Sequence, residues 1–127
     1  MEFPKDLKYA KTHEWLRDED GVVEVGLTDF AQDQLGDIVF VNLPEPGDEV
    51  SAGESFADVE SVKAVSDVYS PVSGIVEEVN EAVLDAPESV NAQPYDAWLI
   101  RVKDVSGEED LLDADAYEAF CEAGGEA

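Results

Sequence analysis

Val23, Val25 and Leu27 alternate with Glu24 and Gly26, the period-two pattern of a strand with one buried face. The alternation stops at Thr28, a good helix N-cap. Asp29 complements the first-turn dipole and Gly36 closes the segment, so the pattern predicts a short helix over 29–35, near 28–35 with its cap. Ile38-Val39-Phe40-Val41-Asn42-Leu43 is a continuous apolar run of strand length, suited to burial on both faces. Pro44-Glu45-Pro46-Gly47-Asp48 is turn chemistry. Val50 and the segments 55–61, 64–69, 74–79 and 97–103 supply further short strands, separated by Gly53, Pro71, Ser73, Gly74, Asn80, Pro87 and Pro94. Short strands at this rhythm predict an all-β barrel or sandwich. Near the end, Asp113 caps a second helix, expected over 113–123. Its Tyr117, Phe120 and Cys121 share one face and Gly124 stops it. That helix is expected to pack on the sheet, with its aromatic stripe as core.

Composition bounds the reading without changing the fold class. The 127 residues suit one domain, 1–127, and 44% hydrophobic content is ordinary for a folded chain. Charge is not ordinary: 32 acids against 7 Lys and Arg give a formal net charge of −25. Such a field disfavours binding to nucleic acid or an anionic membrane, and self-repulsion points to a monomer. The acids run from Glu2 to Glu126 with no block longer than Asp18-Glu19-Asp20. Even spread fits adaptation to concentrated salt, and so a halophilic source, better than one basic partner. A single cysteine, Cys121, excludes an intrachain disulfide and reads as a small core residue. No long apolar run and no leader pattern is visible, so the expected location is the cytoplasm.

The absence of other cations makes one residue conspicuous. Between Asp18 and Ile100, Lys63 is the only Lys or Arg, set among twenty acids. β-prone residues flank it, with Glu60 and Ser61 before and Ser66 and Asp67 after, which places it at the tip of a hairpin. A lone surface lysine is the commonplace alternative. The specific alternative is an attachment point, where a tip exposes the amine and an acylated lysine becomes a long rotating arm. No catalytic constellation is visible elsewhere in the chain. His13 is the only histidine, without a ligand set of recognisable spacing, and a structural place beside Trp15 is expected for it. No EF-hand loop, phosphate-binding glycine loop or Ser/His/Asp set is present.

Glu60-Ser61-Val62-Lys63-Ala64, followed by Ser70-Pro71-Val72-Ser73-Gly74 and preceded by Gly47-Asp48-x-Val50-x-x-Gly53, resembles the lipoyl-lysine hairpin of lipoyl-carrier domains. The resemblance extends through Tyr9, His13-Glu14-Trp15, the run from Gly26 to Pro44, Asn80, Pro87, Asn91, Pro94-Tyr95 and Trp98 to Lys103. Over about residues 7–123 the chain resembles the glycine cleavage system H proteins. It departs from their usual pattern in a Tyr95–Trp98 segment one residue short, in Ser89, and in its acidity. Val62 and Ala64, rather than methionines, flank the lysine, which argues for lipoate over biotin.

The resemblance implies a barrel-sandwich hybrid of two antiparallel sheets and a carrier rather than an enzyme. Lipoate would be covalent on Lys63, attached by a lipoate ligase or lipoyl transferase. The arm would take the aminomethyl group of glycine from the glycine decarboxylase (P protein) to the aminomethyltransferase (T protein) and be reoxidised by dihydrolipoyl dehydrogenase (L protein). An H-like relay that supplies lipoyl groups to other carriers is the alternative. The resemblance further implies that Glu14 holds the aminomethylated arm in a surface cleft, with Thr12 and Asp67 as candidate partners of the amine. A carboxylate and hydroxyl acceptors suit a protonated amine in a partly dry groove.

Overall fold

The structure is a computed structural model that describes residues 1–125. Among the described residues nine strands and four helices follow in the order β1 (Lys8–Tyr9), β2 (Glu14–Glu19), β3 (Val22–Leu27), α1 (Asp29–Leu35), β4 (Ile38–Asn42), β5 (Glu49–Val50), β6 (Ser55–Ser61), β7 (Val65–Tyr69), β8 (Val72–Val79), α2 (Glu81–Asp85), α3 (Ser89–Ala92), β9 (Ile100–Glu108) and α4 (Ala114–Glu122). They form a six-stranded sheet, β1-β2-β3-β9-β8-β5, and a three-stranded sheet, β4-β6-β7. Every pairing is antiparallel. The sheets stay separate rather than closing into a barrel. Among the described residues no helix is long and apolar enough to cross a membrane.

The helices at both ends form where their caps predict. Thr28 Oγ1 accepts from Ala31 N–H at 3.1 Å and Asp113 from Ala116 N–H at 2.8 Å, satisfying N–H groups that the first turn leaves free. Gly36 ends α1 at φ 78°, which favours glycine. Tyr117 of α4 is fully buried, its ring stacked on Tyr9 at 4.6 Å, and Cys121 is buried beside it, so this face is core. Gly26 lies under Trp15: a Cβ there would stand 2.5 Å from the indole ring. Across the strands, Glu24 is buried between Arg17 at 3.0 Å and Arg101 at 2.8 Å, which compensates a carboxylate that could not stand alone inside.

Three expectations are corrected. The last strand starts at Ile100 rather than 97 and runs on to Glu108. Two short helices, α2 and α3, occupy a stretch read from its Asn and Pro residues only as turns. Most consequentially, β4 is not buried on both faces. Ile38 and Val41 enter the core, but a bulge between Ile38 and Phe40 leaves Val39 and Phe40 55% and 51% exposed. Among the described residues nothing covers the outer face of the small sheet there.

Candidate functional site

Strands β6 and β7 form a hairpin whose turn is Ser61-Val62-Lys63-Ala64. Ser61 N–H donates to the Ala64 carbonyl at 2.8 Å, and Ser61 Oγ accepts from the N–H groups of Lys63 (3.2 Å) and Ala64 (3.1 Å). One serine side chain thus satisfies the donors of a turn too tight for ladder bonds. Lys63 is exposed, as the sequence predicts for a tip.

The tip is also tied to the body. Val62 N–H donates to the Asp37 carbonyl at 3.0 Å. The Gly36–Ile38 turn is held in turn by Asn91 of α3, which donates to the Gly36 carbonyl (2.8 Å) and accepts from Ile38 N–H (2.8 Å). Asn91 is a positioning residue that the strand reading missed. The Lys63 side chain lies across Gly36, where a Cβ would come 3.3 Å from its Cε. It therefore leans toward the end of α1.

Beyond that end is a cavity of about 140 Å³, lined by Thr12, His13, Glu14, Leu27, Ala31, Gln34, Leu35, Val59, Ser66, Asp67 and Val68. Thr12, Glu14 and Asp67, three candidates separated in sequence, meet here. Lys63 stands outside, roughly 10 Å along the hairpin from Ser66 at the strand rise of ~3.3 Å per residue. A larger concavity of about 290 Å³ opens on the other side of Thr12, but Glu14 does not line it.

Glu14 begins β2 opposite Leu27, on the face that also carries Leu16, and is 1% exposed. Its Oε1 bonds Thr12 Oγ1 and its Oε2 accepts from Tyr69 N–H at 3.2 Å. Burial pushes its carboxyl up to about 8, while those hydrogen bonds pull it down and offset only part of the shift. At neutral pH the group is mostly protonated, with Thr12 able to accept its proton. Once ionised, it keeps two donors pointed at it. Among the described residues it has no cationic partner, unlike buried Glu24. Asp67 is different. Register pairs it with Asp58 on the exposed face of the hairpin, while Ser66, opposite fully buried Val59, faces inward. Asp67 thus borders the cavity, and Ser66 is the hydroxyl that the sequence reading passed over.

His13 is held among different neighbours than expected. Its ring partners are Phe30, Tyr117 and Phe120, whereas Trp15 packs on Tyr95. Nε2–H donates to the Gly125 carbonyl and Nδ1 accepts from Tyr117 O–H, both at 2.7 Å. The Tyr117 oxygen then accepts from Thr28 Oγ1–H at 2.7 Å. Burial holds the imidazole below its usual value, consistent with this neutral tautomer.

An exposed lysine at a pinned hairpin tip on a two-sheet sandwich, with a cavity bordered by Glu14 and Asp67 farther along the same hairpin, suits a carrier domain. Residues 7–124 match the family described as Glycine cleavage H-protein, and the chain belongs to that family. It is 57% identical over 121 residues to the glycine cleavage system H protein of Lachnoclostridium phytofermentans, covering 94% of this chain and 95% of that one. It is also 57% identical over 127 residues to that of Geobacillus kaustophilus, covering 98% and 100%. A crystal structure of a glycine cleavage system H protein from Mycobacterium marinum superposes with a TM-score of 0.87 at 44% identity, covering 95% of this chain and 98% of that one.

Proposed function

We propose that this protein is the lipoyl carrier of a glycine cleavage system, with lipoate joined to Lys63. It takes the aminomethyl group of glycine from the P protein to the T protein and is reoxidised by the L protein. Attachment is an acyl transfer: deprotonated Lys63 Nζ attacks the carbonyl of an activated acyl donor, an amide bond forms, and the donor's leaving group departs. When bound, lipoate supplies the sulfur that carries the one-carbon cargo. The protein supplies an exposed amine, a fixed tip and a place to shelter the cargo. Tethering raises the effective concentration of the cargo at each partner without an active site on the carrier.

The observation that carries the reading is the placement of Glu14. Thr12, Glu14 and Asp67 surround a cavity beside the tip, and Glu14 is held there without a cation. A protonated amine arriving there would draw the Glu14 proton off to solvent and pair with the carboxylate, at close range and away from water. Thr12 and the Tyr69 N–H keep that carboxylate oriented.

The test is intact mass after expression in a lipoate-competent host, beside Lys63→Ala. A lipoyl mass on the wild type alone is the expected result. An unmodified wild type, in a host that lipoylates its own carriers, would overturn the assignment of Lys63.

A further inference from the structure

Seven large hydrophobic side chains are markedly exposed among the described residues, and four of them, Val39, Phe40, Val62 and Val65, gather around Lys63. Single exposed apolar residues need no explanation, but a cluster in so acidic a chain does. The register shows how it is built. Phe40 pairs with Glu60 and Glu60 with Val65, so these three form one row across the outer face of β4-β6-β7. The bulge adds Val39 to the same side, and the turn adds Val62 at 67% exposure. The next row is Asn42, Asp58 and Asp67, and Asp37 stands exposed at the start of β4. The result is an apolar corner with acids through and around it, and Lys63 at its edge.

We propose that this corner is the docking surface for the enzyme that acylates Lys63, and that the enzyme meets it with an apolar centre and a basic rim. The inference rests on Lys63 being the attachment residue. Reach selects the occupant. An unmodified lysine extends its nitrogen only roughly 6 Å from Cα, five bonds away. An enzyme that brings that nitrogen to an acyl donor must therefore sit on the residues flanking the tip. Enzymes that act later work at the end of a longer arm and are free of that constraint. Charge selects the rim: Asp37, Asp58, Glu60 and Asp67 would repel an acidic surface and steer a basic one.

The experiment uses the unmodified full-length chain with a purified lipoate–protein ligase, lipoate, ATP and Mg²⁺. Initial rates are read by intact mass over a range of carrier concentrations. For Val39→Ser/Phe40→Ser, kcat/KM should fall about tenfold or more, through KM, as expected for truncating the centre of an interface. Val105→Ser, an exposed apolar residue on β9 of the other sheet, should stay within about twofold. Reactivity of Lys63 toward acetic anhydride should be the same in all three proteins, showing the tip intact. Unchanged ligase kinetics in the double variant would overturn the proposal. So would a loss matched by loss of anhydride reactivity, which would mean a distorted tip. So would normal acylation followed by impaired turnover with the P protein, which would give the surface to that enzyme instead. Failure of the underlying reading looks different: the wild type itself gains no mass, and both statements fall together.

Discussion

Replacing Glu14 by Gln isolates the cost of a buried charge. In the folded chain the Glu14 carboxyl titrates at about 8, whereas its ordinary value is 4.5. Between those values the folded state holds a proton that the unfolded state has released. Its contribution to stability is therefore fully present below pH 4.5 and is lost as pH rises through 8. Each unit of pH inside that window is worth about 1.4 kcal/mol at most, so the wild type should lose on the order of 2 kcal/mol between pH 6 and pH 8 from this group. Glutamine keeps the volume and an oxygen acceptor but cannot ionise. The assay is urea unfolding of the unmodified protein and Glu14→Gln in parallel from pH 5 to 9. The variant should gain on the wild type steadily above pH 5. His13 is held low by burial, so its stabilising contribution is present above its ordinary value and is lost as pH falls. That contribution cancels between the two proteins. Curves that stay parallel within about 0.5 kcal/mol would refute the reasoning, because Glu14 would then be titrating as a hydrated side chain.

Tyr117→Phe removes the hydroxyl that links His13 to Thr28 and should destabilise by about 1–3 kcal/mol, read as a lower urea midpoint at unchanged slope. Gly26→Ala forces a methyl into the Trp15 ring and should cost about 1–3 kcal/mol, with a shift in Trp fluorescence. Melting curves should move upward as salt rises toward about 1 M, where the screening length shrinks to ~3 Å, and a flat melting point would refute adaptation to salt.

The local elements were legible because local chemistry dictates them. Thr28, Asp29 and Gly36 gave α1 both its ends, and Asp113 gave the start of α4. The hairpin tip was legible from Lys63 alone among acids. Burial was less so, because it depends on what covers a strand. The run Ile38–Leu43 is apolar throughout, and periodicity has no means of announcing the bulge that turns Val39 and Phe40 to solvent. Glu14 was singled out by family likeness, one acid among 32. Alternation along β2 gives no signal for it: Glu14 shares a face with buried Leu16 and exposed Asp18, and Trp15 on the opposite face is fully buried. Ser66 was hidden for a similar reason: only the pairing with Val59 tells which of two adjacent polar residues points inward.

The bond from Val62 to the Asp37 carbonyl has a kinetic consequence. It ties the backbone under Lys63 to the Gly36–Ile38 turn, itself braced through Asn91 by a different part of the chain. A lipoyl arm rooted there, as proposed, would explore space mainly by side-chain torsions. Moving from solvent into the cavity then costs rotor entropy on the order of 2 kcal/mol and no backbone rearrangement. Exposed side-chain torsions turn over in picoseconds to nanoseconds, so sheltering and release would be fast beside the microsecond-to-millisecond motions of enzyme lids. If Lys63 carries the arm as proposed, sheltering its cargo would need no opening step.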